Sequence, residues 1–540
     1  MLGVLDTPQT AGTSGVAPQL TTAMPGGVLD VGGWVLFDRL PADRVEVYVG
    51  DLPVRPARRA LPHPGVMGRF ANTPAAVAAG FHAGVVVPRS AAGQVLDVRV
   101  RAFSELGDTW HSPAVRVSVT EHPPFDGHPL VTGGRLRAAR PRTDDDERLR
   151  VCVFTHSLQL GGGELYLDEL LRRLLKNHDL DVTVVSPETG PLAAGLVDMG
   201  VEVHVTRPYA VHPAHYEGAV SELQALLNDI QPDVVLANTL GVFPAVDAAL
   251  RQGREVAWAI HESFEIEDFI YLNWGSRGLH DEVEERMRAA LAGAHTIFEA
   301  GPTLDLYRGQ IPDLKGRHIH YGIDVGVIEH YQRTHDRAEL RRAAGIDEDE
   351  TIVLCMGVFQ ERKAQLALVL AFSAVASLFP KARLVLVGEH PTAYAAVVRE
   401  AVRLLDLEDR IEIVPIQPDV YSWYAKADVL VNASDVESLP RSILEAKAFG
   451  LPTLATDVFG LPEIISDGVN GWLCRAHSGN GLATGLYRAL DTRPEQLEAI
   501  AANCRAEASR FDGAGYAEAY HQLFTQLVAT QATRPSEAIA

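Results

Sequence analysis

Between Gly26 and Thr120, apolar and polar positions alternate in short runs punctuated by Gly and Pro: VLDVGGWVLF, RVEVYVG, FHAGVVVP, VLDVRVRAF and VRVSVTE. A period of two turns one face of each run to a core and the other to water, which predicts a small antiparallel β-sandwich within residues 1–125. From Leu149 the pattern changes. RVCVFTH is apolar almost throughout, as a strand buried on both faces must be, and GGGELYLDELLRRLLKNH then carries apolar residues at helical spacing. DVTVVS, VEVHVT, DVVLANT, EVAWAIHE and AHTIFEA repeat the strand with helical segments between them. The cycle restarts with TIVLCMGVF, ARLVLVGE, RIEIVPI, ADVLVNAS and LPTLATD. This predicts an α/β chain with two Rossmann-like domains in tandem, 149–335 and 336–540, joined near Asp324–Gly345. Ligands of such sheets sit beyond the carboxyl ends of the strands, so the crevice between the domains is the expected site.

The stretch EHPPFDGHPLVTGGRLRAARPRTDDDERLR, rich in Pro, Gly and charge, separates the two textures and reads as a linker over 126–148. Asp144, Asp145 and Asp146 are solvating charge there rather than a metal-binding pair. A chain of 540 residues is too long for one core, and 47% hydrophobic with 22% charged residues fits a globular protein. The formal net charge of −22 opposes a nucleic-acid partner, while a local basic pocket for a small phosphorylated ligand remains open. Cys152, Cys355, Cys474 and Cys504 are scattered with no CxxC pair, which points to free thiols in a reducing compartment and no zinc cage. The N-terminus lacks the basic start and apolar stretch of a signal peptide, and no run approaches the roughly 20 apolar residues of a membrane span. A cytoplasmic location is expected, any membrane contact being peripheral.

Chemistry concentrates where strands end. After the first strand, SLQLGGGE places Gly161, Gly162 and Gly163 at a helix start, where free backbone N–H groups can approach an anion. The spacing is not GxGxxG, which disfavours a dinucleotide cofactor. After the first strand of the second unit, GVFQERKAQLALVLAF puts Arg362 and Lys363 at a helix entrance, an arginine fork beside a lysine point charge, as a diphosphate requires. Cations are mildly unfavourable at that end of a helix unless an anion joins them. Lys363 is also one of only six lysines. Two strands later DVESLPRSILEAKAFG predicts a short helix, with Pro440 in its first turn and Gly450 just past its end. Glu437 then lies in the entering loop and Glu445 on the second turn, both bordering one cleft.

With these pieces in place, the C-terminal half resembles the family 4 retaining glycosyltransferases of the GT-B fold, in which two Rossmann-like domains face a central cleft. The resemblance rests on ERKAQLALVLAF, LVLVGEHPTAY, HYGID and ADVLVNASDVESLPRSILEAKAFGLPTLATDVFGLPEIISDGVNGWL, in which Glu437 and Glu445 form the E-x7-E signature. Residues 151 onward resemble the acceptor-side domain through SLQLGGGELYLDELLRRL, ANT (237–239) and AIHES (259–263). The likeness covers roughly residues 150–525, and the sandwich resembles an accessory domain appended to some such enzymes.

The resemblance implies transfer of a sugar, with retention, from a nucleoside-diphosphate sugar to a glycan, lipid-linked or small-molecule acceptor, without metal or cofactor. Arg362 and Lys363 would hold the diphosphate, Glu445 the ribose hydroxyls and Glu437 the sugar hydroxyls, with Ser438 and Leu439 continuing the donor-binding loop. His261 would face the sugar across the cleft, and Gly162 and Gly163 would lie near the donor phosphates or the acceptor. The last helix would cross back to the first α/β domain. Three departures stand out: Val358 where many relatives carry arginine, Tyr321-Gly322 in place of Asn-Gly, and Ser438 in place of the commoner glycine after the first acid. The last leaves the donor sugar open. Two other readings fit a GT-B chain: another enzyme class such as a sugar-nucleotide epimerase or phosphorylase, and a non-catalytic glycan-binding protein.

Overall fold

The computed structural model describes residues 2–7, 21–23, 28–37, 40–61, 79–87, 91–104, 107–119, 148–274, 278–417 and 419–532. The expected linker, with Asp144–Asp146, lies outside the described residues except for Arg148.

The alternating runs of the N-terminal segment form two sheets. One runs Leu2–Thr7, Val28–Phe37, Gly80–Val86, Arg58–Leu61, and the other Thr21–Ala23, Val115–Val119, Val95–Phe103, Arg44–Val49, Arg55–Pro56. Neighbours are antiparallel except for Thr21–Ala23, which lies parallel to Val115–Val119. Along Arg44–Val49 every second residue is buried, and Val31, Val35, Val47, Val98 and Val117 meet in one apolar cluster between the sheets. Leu2–Thr7, Thr21–Ala23 and Arg58–Leu61 were not foreseen as strands, since none shows a sustained alternation.

Two parallel sheets follow. The first has seven strands in the order Glu202–Val205, Leu180–Ser186, Leu149–Phe154, Val234–Asn238, Val256–Ile260, His295–Phe298, Lys315–His318. The second has six: Ile411–Pro415, Ala382–Glu389, Thr351–Met356, Val429–Asn432, Thr453–Thr456, Gly471–Cys474. In both, the third, second and first strands in chain order lie to one side and the fourth onward to the other. The sheet therefore switches direction between its first and fourth strands, and in such folds the crevice at the switch is where ligands bind. The central strands are buried along their whole length except for Leu149 at one start, as their unbroken apolar runs predict. The two edge strands Lys315–His318 and Gly471–Cys474 escaped the sequence reading: KGRH is polar, and GWLC is too short to show a period.

The chain returns on itself at the end. The last helix, Gly513–Ala532, packs on Gly162–Asn177 of the first α/β domain, where the Tyr166 and Tyr520 hydroxyls lie 2.8 Å apart. At the junction the Ile323 N–H donates to the Phe511 carbonyl and the Gly513 N–H to the Ile323 carbonyl, both at 2.8 Å. A Cβ at Gly322 would come within 2.8 Å of the Asp512 carbonyl oxygen, so that strand-like approach requires a glycine. The sandwich touches both α/β domains. Arg55 forms a two-pronged ion pair with Glu265 of the first, and Ser478 of the second donates its hydroxyl to Asp43 at 3.0 Å.

Candidate functional site

In the second α/β domain the loops after the first and fourth strands meet. The Asp435 N–H donates to the Arg362 carbonyl at 2.8 Å, tying the loops together through their backbones. Arg362 and Lys363 end a single 3-10 turn, Glu361–Lys363, and Ala364 at φ 54° in the left-handed region redirects the chain into helix Gln365–Val375. The Lys363 ammonium donates to both Glu437 oxygens, at 2.6 and 2.7 Å, and the Arg362 guanidinium to one of them at 3.1 Å. The anion that sequence reasoning asked for beside these cations is thus supplied, in the free protein, by Glu437. Its side chain is only 8% exposed. Burial pushes the Glu437 carboxyl up, and Lys363 and Arg362 outweigh that and hold it below the usual range. Lys363 is held below its ordinary value, first by burial and then by Arg362, against the pull of Glu437. Two cations share one carboxylate.

Helix Arg441–Phe449 starts immediately after Pro440 and ends at Gly450, which adopts φ 71°. Glu445 is buried on its second turn and accepts from Arg441, one turn earlier, at 2.7 Å. Arg441 also bonds the Tyr321 hydroxyl at 2.7 Å and forms an ion pair with Glu169 of helix Gly162–Asn177. Burial opposes the Arg441 charge, but Glu445, Tyr321 and Glu169 together hold its pKa well above the ordinary value. This network spans both α/β domains, and it gives Tyr321 a specific partner. Leu439 is buried, whereas Ser438 is half-buried and its hydroxyl has no hydrogen-bond partner. A Cβ at Gly460 would lie 2.2 Å from the Ser438 carbonyl oxygen, so the turn GLPEII clamps this loop from behind.

The opposite group lies at the switch point of the first α/β domain. Gly161 precedes helix Gly162–Asn177 without a side-chain cap. A Cβ at Gly162 would meet nothing within 4 Å, whereas one at Gly163 would press on His261 Cδ2 and Thr239 Cγ2 at 3.2 Å. His261 follows strand Val256–Ile260. Its Nδ1 lies 2.6 Å from Glu299 and its Nε2 2.8 Å from the Asn238 amide oxygen. Burial pulls the His261 pKa down, and Glu299, with Glu262 and Glu164, more than reverses this and holds it above the ordinary value. His156 lies 3.0 Å from Glu164 and 3.1 Å from the Thr239 hydroxyl. Thr239 sits at φ 76°, a rare conformation for a β-branched residue, of the kind retained at functional sites.

Arg362, Lys363 and Glu437 are therefore brought into direct contact, Glu445 belongs to a separate network with Arg441, Tyr321 and Glu169, and Gly163 and His261 form a group on the other domain. The sequence reading missed Arg441, Glu169, Asn238, Glu299 and the His156–Glu164 pair. For Arg441 the signal was local, an Arg four residues before Glu445 on a predicted helix. Among the described residues, two groups bring potential metal ligands within 4.8 Å of one another, His318–His320–Glu463 and His178–Glu518–His521, and neither includes a residue of the cation–carboxylate cluster. No helix among them is long and apolar enough to cross a membrane.

Two Rossmann-like domains, with charged side chains at the switch point of each and a last helix crossing back, define the GT-B class. Known proteins agree. The profile of Glycosyltransferase Family 4 matches residues 160–327 and that of Glycosyl transferases group 1 matches residues 336–507. N-acetyl-alpha-D-glucosaminyl L-malate synthase of Bacillus anthracis is 32% identical over 148 residues, 27% of this chain and 38% of that one. D-inositol 3-phosphate glycosyltransferase of Thermobifida fusca is 32% identical over 270 residues, 45% of this chain and 60% of that one. The chain thus spans about half the length of the curated relatives it matches. Among solved structures, HepE of Anabaena in complex with UDP-glucose superposes with a TM-score of 0.59 at 20% identity, over 70% of this chain and 100% of HepE. WaaG, a glycosyltransferase of lipopolysaccharide biosynthesis, gives 0.55 at 19% identity, over 69% and 99%. At these identities the likeness is one of fold. The chain belongs to the family 4 glycosyltransferases of the GT-B fold, with a β-sandwich ahead of its two α/β domains.

Proposed function

We propose that this protein transfers a sugar, with retention of anomeric configuration and without a metal ion, from a nucleoside-diphosphate sugar to a hydroxyl of a glycan, lipid-linked saccharide or small molecule. One observation carries the reading: Arg362 and Lys363 converge on a single buried carboxylate at the switch point of the second α/β domain. A diphosphate brings the charge that this pair of cations lacks, in a half-buried setting where fixed charges act strongly. On donor binding the diphosphate takes the cations, and Glu437, released from them, accepts hydrogen bonds from the sugar. Glu445 accepts from the ribose hydroxyls with the oxygen that Arg441 leaves free. The bond from the anomeric carbon to the diphosphate breaks as the acceptor oxygen bonds to that carbon on the same face. The acceptor proton passes to an oxygen of the leaving phosphate, whose growing charge Arg362 and Lys363 stabilise. His261 and Gly162–Gly163 face this centre from the other domain.

HepE was solved with UDP-glucose, which puts uridine donors first in a screen. Purified protein is mixed with UDP-, GDP-, ADP- and TDP-sugars, and slow hydrolysis and transfer are followed by nucleotide release, with and without EDTA. The expected result is release from one donor class, undiminished by EDTA, with a product anomer matching the donor by proton NMR. No release from any donor, together with no nucleotide binding, would overturn the reading in favour of a non-catalytic glycan-binding protein.

A further inference from the structure

The hydrogen bonds around His261 fix more than its position. The Asn238 amide nitrogen donates to the Gly163 carbonyl at 3.1 Å and faces the Thr155 hydroxyl at 3.4 Å. That orientation turns the Asn238 oxygen toward His261 Nε2 at 2.8 Å, where it can only accept. Flipping the amide would set its oxygen against the Gly163 carbonyl oxygen. On the other side of the ring Nδ1 lies 2.6 Å from the Glu299 carboxylate, a second acceptor. An imidazole between two acceptors needs a proton on each nitrogen.

We propose that Glu299 is a positioning residue that, with Asn238, holds His261 as a doubly protonated imidazolium, whose positive charge acts on the bound donor while both of its N–H groups stay on protein acceptors. The proposal rests on the transferase reading above for the identity of that donor, and on geometry alone for the charge. Glu299 follows strand His295–Phe298, and the His318 ring donates to its backbone carbonyl at 3.1 Å, which anchors the residue from the neighbouring strand. The groups facing the ring are Glu299, Asn238, Glu262 next to it in the chain, and Glu164 and Tyr166 from helix Gly162–Asn177. His156, across Glu164, is the nearest basic group and works against the charge. Tyr166 packs edge-on at 4.6 Å between centroids and keeps the ring from turning. Three carboxylates against one competing histidine favour the cation. As an imidazolium, His261 cannot act as a general base; it brings positive charge to the side of the cleft opposite Arg362 and Lys363.

The test uses the full chain with labelled histidine. Nitrogen NMR separates imidazolium from either neutral tautomer, and the His261 signal is assigned by its loss in His261→Gln. The expected result is an imidazolium at pH 7 in the unmodified protein, titrating above the ordinary value of about 6.5. Glu299→Gln lowers that titration by about one unit, a tenfold change in the protonated fraction above it. The alkaline limb of kcat moves down with it and KM changes little, while Glu299→Asp restores both. If Glu299→Gln is unstable, Asn238→Asp is the second arm: it retains an acceptor, adds a charge, and moves the titration up. A neutral His261 at pH 7, or a titration unmoved in these variants, overturns the proposal. The NMR arm needs no turnover, so failure of the transferase reading and failure of this one are distinguishable.

Discussion

Lys363 and Glu437 form a buried ion pair whose loss is expected to be felt in both stability and turnover. Lys363→Met removes the main partner of a buried carboxylate, and the loss of a preorganised charge contact should lower turnover by about a hundredfold or more. It should also lower the unfolding temperature, since Glu437 is left with Arg362 alone. Adding Glu437→Gln to that variant should recover stability but not turnover. Recovery of both, measured by thermal unfolding and initial rates, would mean that Lys363 only balances Glu437. The two acids should also fail differently. Glu445→Gln weakens binding of free nucleoside diphosphate and intact donor alike, by more than tenfold for a charged hydrogen bond worth about 1.5–3 kcal/mol. Glu437→Gln leaves nucleoside diphosphate binding unchanged or tighter, because the carboxylate competes with the diphosphate for the same cations, and lowers turnover of the intact donor. Calorimetry and kinetics on both variants check this, and equal losses for both ligands would make the pair structural.

At the scale of the element, helix Gly162–Asn177 begins with two glycines that the fold uses differently. Gly163 is required by packing, since a Cβ there would press on His261 and Thr239. Gly162 faces open space and has no such requirement. Gly162→Ala should therefore leave unfolding unchanged or strengthen it by up to about 0.5–1 kcal/mol, the entropic advantage of alanine in a helix. Activity should nonetheless fall, because the added methyl projects where the donor phosphates or acceptor must lie. Chemical denaturation beside kinetics decides it, and full activity in a stable variant would remove Gly162 from the site. Helix Arg441–Phe449 is the counterpart on the other domain. Its Pro440 and Gly450 boundaries set Glu437 ahead of the first turn and Glu445 on the second, and Arg441 extends its reach to Glu169.

For the whole molecule, the question is what the sandwich contributes. It is joined to the first α/β domain by Arg55–Glu265 and to the second by Asp43–Ser478, so it touches both domains. A part-exposed ion pair such as Arg55–Glu265 contributes about 0–1 kcal/mol. A chain beginning at Arg148 is expected to fold and bind nucleotide with unchanged affinity, the sandwich serving acceptor choice or assembly. Circular dichroism and calorimetry on that truncated chain test it. Insolubility or lost nucleotide binding would place the sandwich in the catalytic core.

The sequence by itself determined the elements and their chemistry at short range. Period-two alternation wrote the sandwich strands, unbroken apolar runs wrote the parallel strands, and Pro440 with Gly450 fixed how Glu437 and Glu445 stand to one helix, because each signal lies within a few residues of its effect. What the side chains do to one another was decided by tertiary structure. Lys363 and Glu437 are 74 residues apart, His261 and Glu299 are 38, and Arg441 and Glu169 are 272. The first pair meets only because the fourth strand of its sheet lies beside the first, the second because adjacent parallel strands end at one edge, and the third because the two domains face each other. Sheet order and domain facing are set by the summed burial of whole strands and helices, and no local spacing records them. For that reason the sequence could name Lys363 and Glu437 separately, while only the fold showed that one holds the other.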